Sequence, residues 1–483
     1  MQLDPAVCYR AMRARDARFD GRFFVAVRTT GIYCRPVCPA PTPRRENCTF
    51  VPCAAAAEEA GYRACLRCRP EAAPGTPAWQ GSSATVTRAL RLIEAGALDD
   101  AGVDALAAKL GVGDRHLRRL FATHLGASPH AIAATRRSHF AKQLIDQTAM
   151  PMADIAFAAG FASVRRFNDA IRGAFRRPPR ALRRAAQRGR DASDASLELR
   201  LAYRPPYAWD DLLAFLAARA IPGVECVTDG SYRRSFRQDD AIGWLEVGPV
   251  PGAHQLRVRI RAIGAPRLID LARRLRALFD LGAAPDAIAV ALRDDAALAA
   301  ALRAAPGIRV PGALDGFELA VRAILGQQVS VRAATTLAGR LVTQFGAKLP
   351  DDCLPSTDGA TPTHEFPSAE LLADADVASI GLPAARANAI RALARSVSGG
   401  LRLEPAADPD AARDALLALP GVGEWTAAYV AMRALREPDA FPSADLGLRR
   451  ALGVGAAELA RRAEAWRPWR SYAAMLLWQH GTA

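Results

Sequence analysis

The chain has 483 residues, and its 64 Lys and Arg residues exceed its 49 Asp and Glu residues, so the formal net charge is +15 and the pI is near 10.0. A chain of this length is too long to fold around one ordinary hydrophobic core, so several domains are expected. No segment has the apolar length of a membrane span or signal peptide, which excludes an integral membrane protein and predicts a cytoplasmic one.

The basic charge comes almost entirely from arginine, because the only lysines are Lys109, Lys142 and Lys348. A basic, arginine-rich chain suits a polyanionic partner, since guanidinium groups form paired hydrogen bonds with phosphate and guanine. Proteins encoded by GC-rich genomes show the same bias, so charge alone leaves the partner open.

Cysteine is concentrated at the N-terminus, where seven of the nine cysteines fall within the first 68 residues. Cys34 and Cys38 form one close pair, and Cys65 and Cys68 form another after 26 intervening residues. Two such pairs are typical of four thiolates around one tetrahedral zinc ion. A zinc ion that only stabilises its domain is one interpretation of this pattern.

The residues around the cysteines add a second interpretation. Thr29 to Pro39, with Arg45-Glu46-Asn47 following, resembles the N-terminal domain of the Ada adaptive-response family. The resemblance implies that Cys34 is both a zinc ligand and the nucleophile that accepts a methyl group from a methylated DNA phosphate. The Pro-Cys-His-Arg motif of that family's second methyltransferase is absent from this sequence.

Two stretches further along share a short helix, a glycine turn and a basic helix. The turns are at Gly111 and Gly160, and Asp114 and Ser163 are the expected N-caps of the basic helices. This plan resembles the AraC-type DNA-binding domain, whose recognition helices enter the major groove. The DNA-contacting residues that it implies are Arg115, Arg165, Arg166 and Asn168.

The next segments predict a small sheet followed by helices. Residues 197–201 and 256–261 alternate apolar and polar side chains, which is typical of half-buried strands. From Arg267 onward the pattern is helical, apart from a predicted loop at 350–367. Polar linkers are expected at 74–83 and 189–196.

A helical hairpin is predicted near the C-terminus. Asp408 is an expected N-cap, Pro420 and the glycines Gly421 and Gly423 force a tight turn, and a second helix opens at Glu424. The backbone N–H groups of the two glycines at this helix N-terminus could bind a DNA phosphate.

The hairpin and the residues after it resemble the helix-hairpin-helix DNA glycosylases, most closely the AlkA-type 3-methyladenine DNA glycosylase II. Trp425 and Tyr429 share one helix face, and Asp445 lies 20 positions after Trp425. The resemblance implies that Asp445 is the catalytic carboxylate and that Trp425, Tyr429 and Trp478 hold a flipped-out base. Gln328 stands where that family places a leucine wedge, and a monovalent cation at the hairpin is also implied.

These features predict a multidomain α+β protein. The expected domains are a four-cysteine zinc domain at 1–75, an all-helical double helix-turn-helix domain at 85–187, a small antiparallel sheet at 197–265 and a helix-hairpin-helix glycosylase domain at 266–483. The predicted function is a monofunctional glycosylase for alkylated bases, since no lysine lies between Leu419 and Asp445 to form a Schiff base.

The glycosylase would be fused to a methylation-sensing transcriptional regulator. Double-stranded DNA and RNA polymerase are the expected partners, and the chain is expected to be a monomer. The alternative is an AraC-type activator with a structural zinc and a C-terminal domain that binds DNA without catalysis. An intact Asp445 with its aromatic neighbours favours the enzyme.

Overall fold

The structure, a computed structural model, describes residues 4–74, 84–99, 101–187, 197–353 and 361–480. Apart from Pro74, both predicted linkers lie outside these ranges, as does 354–360 of the predicted loop. The described part of that loop contains a short 3-10 turn, Asp351–Cys353, and no helix or strand between 361 and 367. We call residues 4–187 the N-terminal half and residues 197–480 the C-terminal half.

The chain begins with a small mixed domain. Its elements are α1 (Pro5–Arg13), β1 (Phe24–Val27), β2 (Ile32–Cys34), β3 (Cys48–Val51), α2 (Ala54–Glu59) and β4 (Arg63–Ala64). The strands form one sheet in the order β3-β1-β2-β4, in which only β2 and β4 are parallel. Pairing of Tyr33 with Ala64 brings the next residues, Cys34 and Cys65, to the same end of the sheet.

Seven helices follow. They are α3 (Ala84–Glu94), α4 (Val103–Lys109), α5 (Asp114–Leu125), α6 (Pro129–Gln147), α7 (Met152–Ala158), α8 (Val164–Phe175) and α9 (Pro179–Gln187). The pairs α4–α5 and α7–α8 are the two predicted helix-turn-helix units, with Gly111 and Gly160 in the left-handed region at their turns. Ser163 caps α8 as predicted, because its hydroxyl accepts a hydrogen bond from the N–H of Arg166 at 3.3 Å.

The predicted cap of α5 is wrong by one residue. Gly113 occupies the N-cap with extended backbone, and Asp114 is the first helical residue. Its carboxylate accepts from the adjacent N–H of Arg115 at 2.7 Å. The acid therefore complements the positive end of the helix dipole rather than capping it.

A five-stranded antiparallel sheet opens the C-terminal half. It consists of β5 (Leu197–Ala202), β6 (Glu225–Thr228), β7 (Ser231–Gln238), β8 (Ala241–Pro249) and β9 (Gln255–Ile263), with α10 (Trp209–Ala217) between β5 and β6. The spatial order is β5-β9-β8-β7-β6. The two strands predicted from alternation, β5 and β9, are neighbours, with Leu199 opposite Val258.

Twelve helices in the described residues complete the fold. They are α11 (Leu268–Leu278), α12 (Pro285–Leu292), α13 (Ala296–Ala304), α14 (Gly316–Leu325), α15 (Val331–Phe345), α16 (Ala369–Leu372), α17 (Ala384–Ser398), α18 (Pro409–Leu417), α19 (Glu424–Arg433), α20 (Leu446–Leu452), α21 (Ala456–Ala463) and α22 (Arg470–His480). The hairpin is as predicted, since Asp408 caps α18 and α19 begins at Glu424. None of the helices described is long and apolar enough to cross a bilayer.

Helix α14 is the centre of the C-terminal half. Every residue from Phe317 to Leu325 is buried except Arg322. A helix that is buried on nearly all sides must be surrounded by other elements, and α14 packs against α15, α17 and α19. This central position places the end of α14 next to the hairpin.

A buried ion network joins α14 to the sheet. Arg234 on β7 donates to Glu318 on α14 at 2.7 Å, and Arg322 on α14 donates to Glu225 on β6 at 2.9 Å. Arg234 and Glu225 are also paired, at 3.4 Å. Burial alone would raise the pKa of Glu225, but Arg322 and Arg234 hold it below its usual value. Two cations and two anions therefore balance in an environment that excludes water.

Replacing Glu225 with alanine should lower the free energy of unfolding by about 3–5 kcal/mol, because buried Arg234 and half-buried Arg322 lose a counter-charge. Urea unfolding of the full chain measures this. In Glu458→Ala, the carboxylate lost belongs to an exposed pair with Arg461, so the change should stay below about 1 kcal/mol. Equal unfolding midpoints for the two variants would show that the network does not stabilise the fold.

Candidate base-binding pocket and four-cysteine centre

Asp445 is held by hydrogen bonds from neutral donors. It caps α20, and its Oδ1 accepts from the N–H of Leu448 at 2.9 Å. The indole Nε1 of Trp425 donates to Oδ2 at 2.7 Å, and the indole Nε1 of Trp478 donates to Oδ1 at 3.0 Å. Within the part of the chain that the structure describes, no basic side chain forms an ion pair with this carboxylate. Its orientation is fixed, and its negative charge is not neutralised.

Three aromatic rings stand beside the carboxylate. Trp425 and Tyr429 stack with ring centroids 5.2 Å apart and planes 11° from parallel, as their shared helix face predicted. Trp478 lies 6.2 Å from Tyr429 with its plane tilted by 56°. Together with Asp445 they line a cavity of about 340 Å³. The structure therefore brings together the three residues predicted to bind the base and the predicted catalytic carboxylate.

Gly447 keeps the space between Asp445 and Trp478 open. A Cβ atom at this position would lie 3.0 Å from Oδ1 of Asp445 and 3.4 Å from Cδ1 of Trp478. Any side chain there would press on the hydrogen-bonded pair. Sequence reasoning missed this residue, although it lies only two positions after Asp445.

Two arginines that sequence reasoning also missed form the inner wall of the cavity. Arg433 is buried and donates to the hydroxyl of Tyr429 at 2.5 Å and to the carbonyl of Pro311 at 2.8 Å. The Arg219 guanidinium lies 3.7 Å from the ring centroid of Phe215. Burial alone would raise the pKa of Tyr429, but the charges of Arg433 and Arg219, with a smaller contribution from Arg322, lower it.

Helical spacing was the signal for Arg433, because it is four positions after Tyr429 and so continues the face of Trp425 and Tyr429. Arg219 had no comparable local signal. It follows α10, which packs across the cavity from α19 only in the folded chain.

The hairpin turn has the backbone geometry that the sequence predicted. Gly421 has a φ of +76°, in the left-handed region, and Gly423 is the N-cap of α19. The side-chain amide of Gln327 donates to the carbonyl of Gly421 at 2.9 Å and to Oγ1 of Thr426 at 3.1 Å. The turn is thus tied to the segment after α14, and both glycines remain exposed.

Gln328 lies on that same segment at the mouth of the cavity. Its side chain is exposed, its φ is +56°, and its neighbour Val329 lines the cavity. A non-glycine residue in the left-handed region is uncommon and marks a constrained turn. The exposed polar side chain of Gln328 therefore occupies the position predicted for the wedge.

The predicted helix-turn-helix residues lie away from this cavity. Arg115 is exposed on α5, and Arg165 and Arg166 are exposed on α8, where Asn168 is half-buried. Each of these helices is the second of its unit, which is the position of a recognition helix.

The four predicted cysteine ligands form a cluster. The Sγ atoms of Cys34, Cys38, Cys65 and Cys68 all lie within 4.8 Å of one another. Four sulfurs bound tetrahedrally to zinc at ~2.3 Å would be ~3.8 Å apart, so this cluster is compact enough to bind the ion. Cys34 and Cys38 are half-buried, whereas Cys65 and Cys68 are buried. In the described ranges it is the one group of three or more His, Cys, Asp or Glu side chains close enough together to hold a metal ion.

Arg35 braces this cluster from one side. Its backbone N–H donates to Sγ of Cys68 at 3.3 Å, and its guanidinium donates to the carbonyl of Cys68 at 3.0 Å. The same guanidinium is paired with buried Asp20. A backbone N–H aimed at a sulfur favours the thiolate form that a metal ion requires.

Comparison with protein-family models finds four matches along the chain. They are the "Metal binding domain of Ada" at residues 7–71, a "Helix-turn-helix domain" at 106–185, the "AlkA N-terminal domain" at 198–315 and the "HhH-GPD superfamily base excision DNA repair protein" at 321–456. The predicted fold class and resemblances are confirmed.

Similar proteins show the same combination. The "Probable bifunctional transcriptional activator/DNA repair enzyme AlkA" of Mycobacterium tuberculosis is 47% identical over 480 residues, covering 98% of this chain and 95% of that protein. The "DNA-3-methyladenine glycosylase 2" of Escherichia coli is 36% identical over 284 residues, covering 58% of this chain and 95% of that protein. Among solved structures, the 3-methyladenine DNA glycosylase from Archaeoglobus fulgidus matches with a TM-score of 0.50 and 22% identity, covering 58% of this chain and 96% of that one. The last match supports the fold alone.

The four-cysteine cluster should contain one zinc ion per chain, measured by elemental analysis of the purified protein. Cys65→Ala removes a buried ligand and should abolish most of the bound zinc, because three thiolates leave the site open. Cys226→Ala, which changes a half-buried cysteine outside the cluster, should keep full zinc content. Equal zinc content in the two variants would place the metal elsewhere.

Proposed function

Because the chain belongs to the family of bifunctional proteins that join a transcriptional activator to the DNA repair enzyme AlkA, we propose that Asp445 is the catalytic carboxylate of its base-excision reaction. The chain is a DNA-3-methyladenine glycosylase of the AlkA type fused to a regulatory region with a zinc-binding domain and helix-turn-helix units. It acts on double-stranded DNA in the response to alkylation.

The proposal rests on one observation, the un-neutralised carboxylate beside an aromatic cavity. Breaking an N-glycosidic bond builds positive charge on the deoxyribose, as in other glycosyl transfers. A fixed negative charge next to that sugar stabilises the transition state more than the ground state. The two indole donors orient Asp445 without cancelling its charge. A C-terminal domain that bound DNA without catalysis would have no use for this arrangement.

The aromatic rings would bind the departing base. A purine alkylated at N3 or N7, such as 3-methyladenine or 7-methylguanine, is positively charged, and aromatic faces attract cations. Trp425, Tyr429 and Trp478 present such faces around the cavity. Protein side chains surround the cavity, so the nucleotide must be extruded from the duplex to enter it.

The hairpin and the segment after α14 would position the DNA. The backbone N–H groups at Gly421 and Gly423 open α19 and suit a phosphate, with a monovalent cation at the same turn. Gln328 would enter the gap that the extruded nucleotide leaves. No lysine lies between Leu419 and Asp445, so water rather than a lysine amine would attack the deoxyribose. Without a Schiff base, the enzyme would not cut the strand.

The zinc domain would add a second reaction, with Cys34 as the methyl acceptor. A bound zinc ion would keep the Cys34 sulfur deprotonated at neutral pH. The Cys34 sulfur would form a bond to the methyl carbon, the carbon–oxygen bond would break, and the phosphate would leave as a diester anion. The half-buried position of Cys34, compared with buried Cys65 and Cys68, supports this choice.

Methylation of Cys34 would also change the charge of the domain. Four thiolates on a divalent ion carry a formal charge of about −2, and conversion of one to a thioether removes one negative charge. Repulsion between the domain and DNA phosphates should then fall, and DNA affinity should rise. The exposed Arg115, Arg165 and Arg166 with half-buried Asn168 would contact promoter DNA. A monomer bound there would recruit RNA polymerase.

Asp445→Asn should lower the rate of 3-methyladenine release from a methylated duplex by about 10²–10³-fold, because the charge that stabilises the sugar cation is lost. Asparagine is a good N-cap, so α20 should remain folded. Single-turnover release of the base measures the rate, and a gel shift measures DNA affinity, which should change little.

Asp408→Asn is the matched control for this variant. Asp408 is also an aspartate N-cap, of α18, but it does not line the cavity. Its excision rate should equal that of the wild type. An Asp445→Asn enzyme that excised bases as fast as this control would remove Asp445 from the mechanism.

Exposure of the full chain to DNA carrying methyl phosphotriesters should add one methyl group to Cys34. Cys34→Ala should abolish this uptake, whereas Cys48→Ala, a half-buried cysteine outside the cluster, should retain it. Mass spectrometry of digested protein locates the modification. A methyl group found on Cys38 would contradict the assignment of Cys34.

A further inference from the structure

A second cavity lies at the junction of the two halves. It has a volume of about 320 Å³ and is bounded by α3 and α6 on one side and by α11 and the start of α22 on the other. None of the residues assigned above to catalysis, base binding, DNA contact or zinc lines it. Cavities between domains are frequent sites for small ligands.

Two arginines of α11 face this cavity without a close counter-charge. The Arg276 guanidinium makes no hydrogen bond and no ion pair within 4.0 Å to any residue that the structure describes, and burial lowers its pKa. Arg273 has only long ion-pair distances, 3.8 Å to Asp270 and 4.0 Å to Glu404. Positions three apart share a helix face, where like charges repel. The free protein therefore holds two neighbouring guanidinium groups that nothing in the described chain compensates closely.

The opposite wall adds a third arginine. Both terminal nitrogens of Arg136 on α6 are buried and have no hydrogen-bond partner. Its nearest carboxylate, Asp99, is 3.6 Å away and is bound more closely by Arg137, at 2.6 Å. The N-terminal half thus contributes to the same cavity a third arginine that has no close ion-pair partner.

Carboxylates lining the cavity do not balance these three charges. Glu71 is paired with Lys142 at 3.4 Å, and Asp280 is paired with Arg436. Glu94 on α3 lines the cavity with an exposed side chain and forms no ion pair within 4.0 Å among the described residues. Even with Glu94 ionised, the unpaired lining groups keep an excess of positive charge.

Part of the remaining wall is apolar and aromatic. Phe140, Trp469 and Tyr472 are buried and line the cavity together with Ile269. Such a wall suits a planar ring rather than a bare ion. The cavity therefore has one side for an anion and another side for an aromatic group.

From this arrangement, we propose that the junction cavity binds a phosphate group carried by a small molecule, with Arg273 and Arg276 as its donors. The aromatic wall would hold the base of a mononucleotide. A molecule bound there touches α3 and α6 of the N-terminal half as well as α11 of the C-terminal half, so it would link the regulatory and catalytic parts. The phosphate could come from a mononucleotide or from free phosphate, and the experiment separates these.

Thermal unfolding and calorimetry of the full chain, with added deoxyadenosine monophosphate, inorganic phosphate or deoxyadenosine, test the proposal. Deoxyadenosine monophosphate and inorganic phosphate should each raise the melting temperature in a saturable way, whereas deoxyadenosine should not. Tighter binding of the mononucleotide would identify it as the source, and equal binding would identify free phosphate. Arg276→Gln should weaken phosphate binding by about tenfold or more, since a charge-assisted pair is lost.

Arg303→Gln, which changes an exposed arginine on α13, should bind phosphate like the wild type. Arg276→Gln should fold well, because it removes an unpaired charge from a half-buried position, so its melting temperature without phosphate should equal or exceed that of the wild type. Arg273→Gln provides a second variant with the same expected loss. Absence of a saturable phosphate effect, or an equal effect in both cavity variants and the wild type, would overturn the proposal.

Discussion

The geometry of the base-binding pocket depends on the two indole N–H groups that donate hydrogen bonds to the Asp445 carboxylate. One indole comes from α19, directly after the hairpin turn, and the other comes from α22, the last helix. Asp445 itself begins α20, so three helices must be in place before the carboxylate is oriented. Neutral donors fix it without cancelling its charge. An arginine in the same place would hold the carboxylate as firmly, but it would neutralise the charge that a sugar cation requires.

Local patterns predicted much of this site, and tertiary packing decided the rest. The spacing of Trp425 and Tyr429 indicated a shared face, and these rings stack. Trp478 is 33 positions from Asp445, so only the resemblance to known glycosylases pointed to it. Arg219 escaped prediction because nothing in its own segment indicates that α10 would pack across the cavity from α19. The two strands predicted from alternation pair with each other, because each buries one apolar face in the same core.

Polar contacts connect the two halves of the chain as well as the elements within them. Gln143 on α6 donates to the carbonyl of Arg200 on β5 at 2.8 Å, and Arg91 on α3 is paired with Glu437 after α19. Within the N-terminal half, the hydroxyl of Tyr33 donates to Glu58 at 2.7 Å and lies 3.0 Å from His139 on α6. Tyr33 directly precedes the proposed methyl acceptor, so the zinc cluster and the helix that links the two helix-turn-helix units share a hydrogen-bonded group.

The most direct test of the account measures whether the pocket favours a positively charged sugar. Two duplexes that differ only at one abasic site, a cationic pyrrolidine ring or a neutral tetrahydrofuran ring, are compared for affinity at the same salt concentration. A fixed, un-neutralised Asp445 predicts about tenfold tighter binding of the cationic ring, since an ion pair in a partly enclosed site contributes ~1.4 kcal/mol or more. Equal affinity for the two duplexes would contradict the role given to this carboxylate.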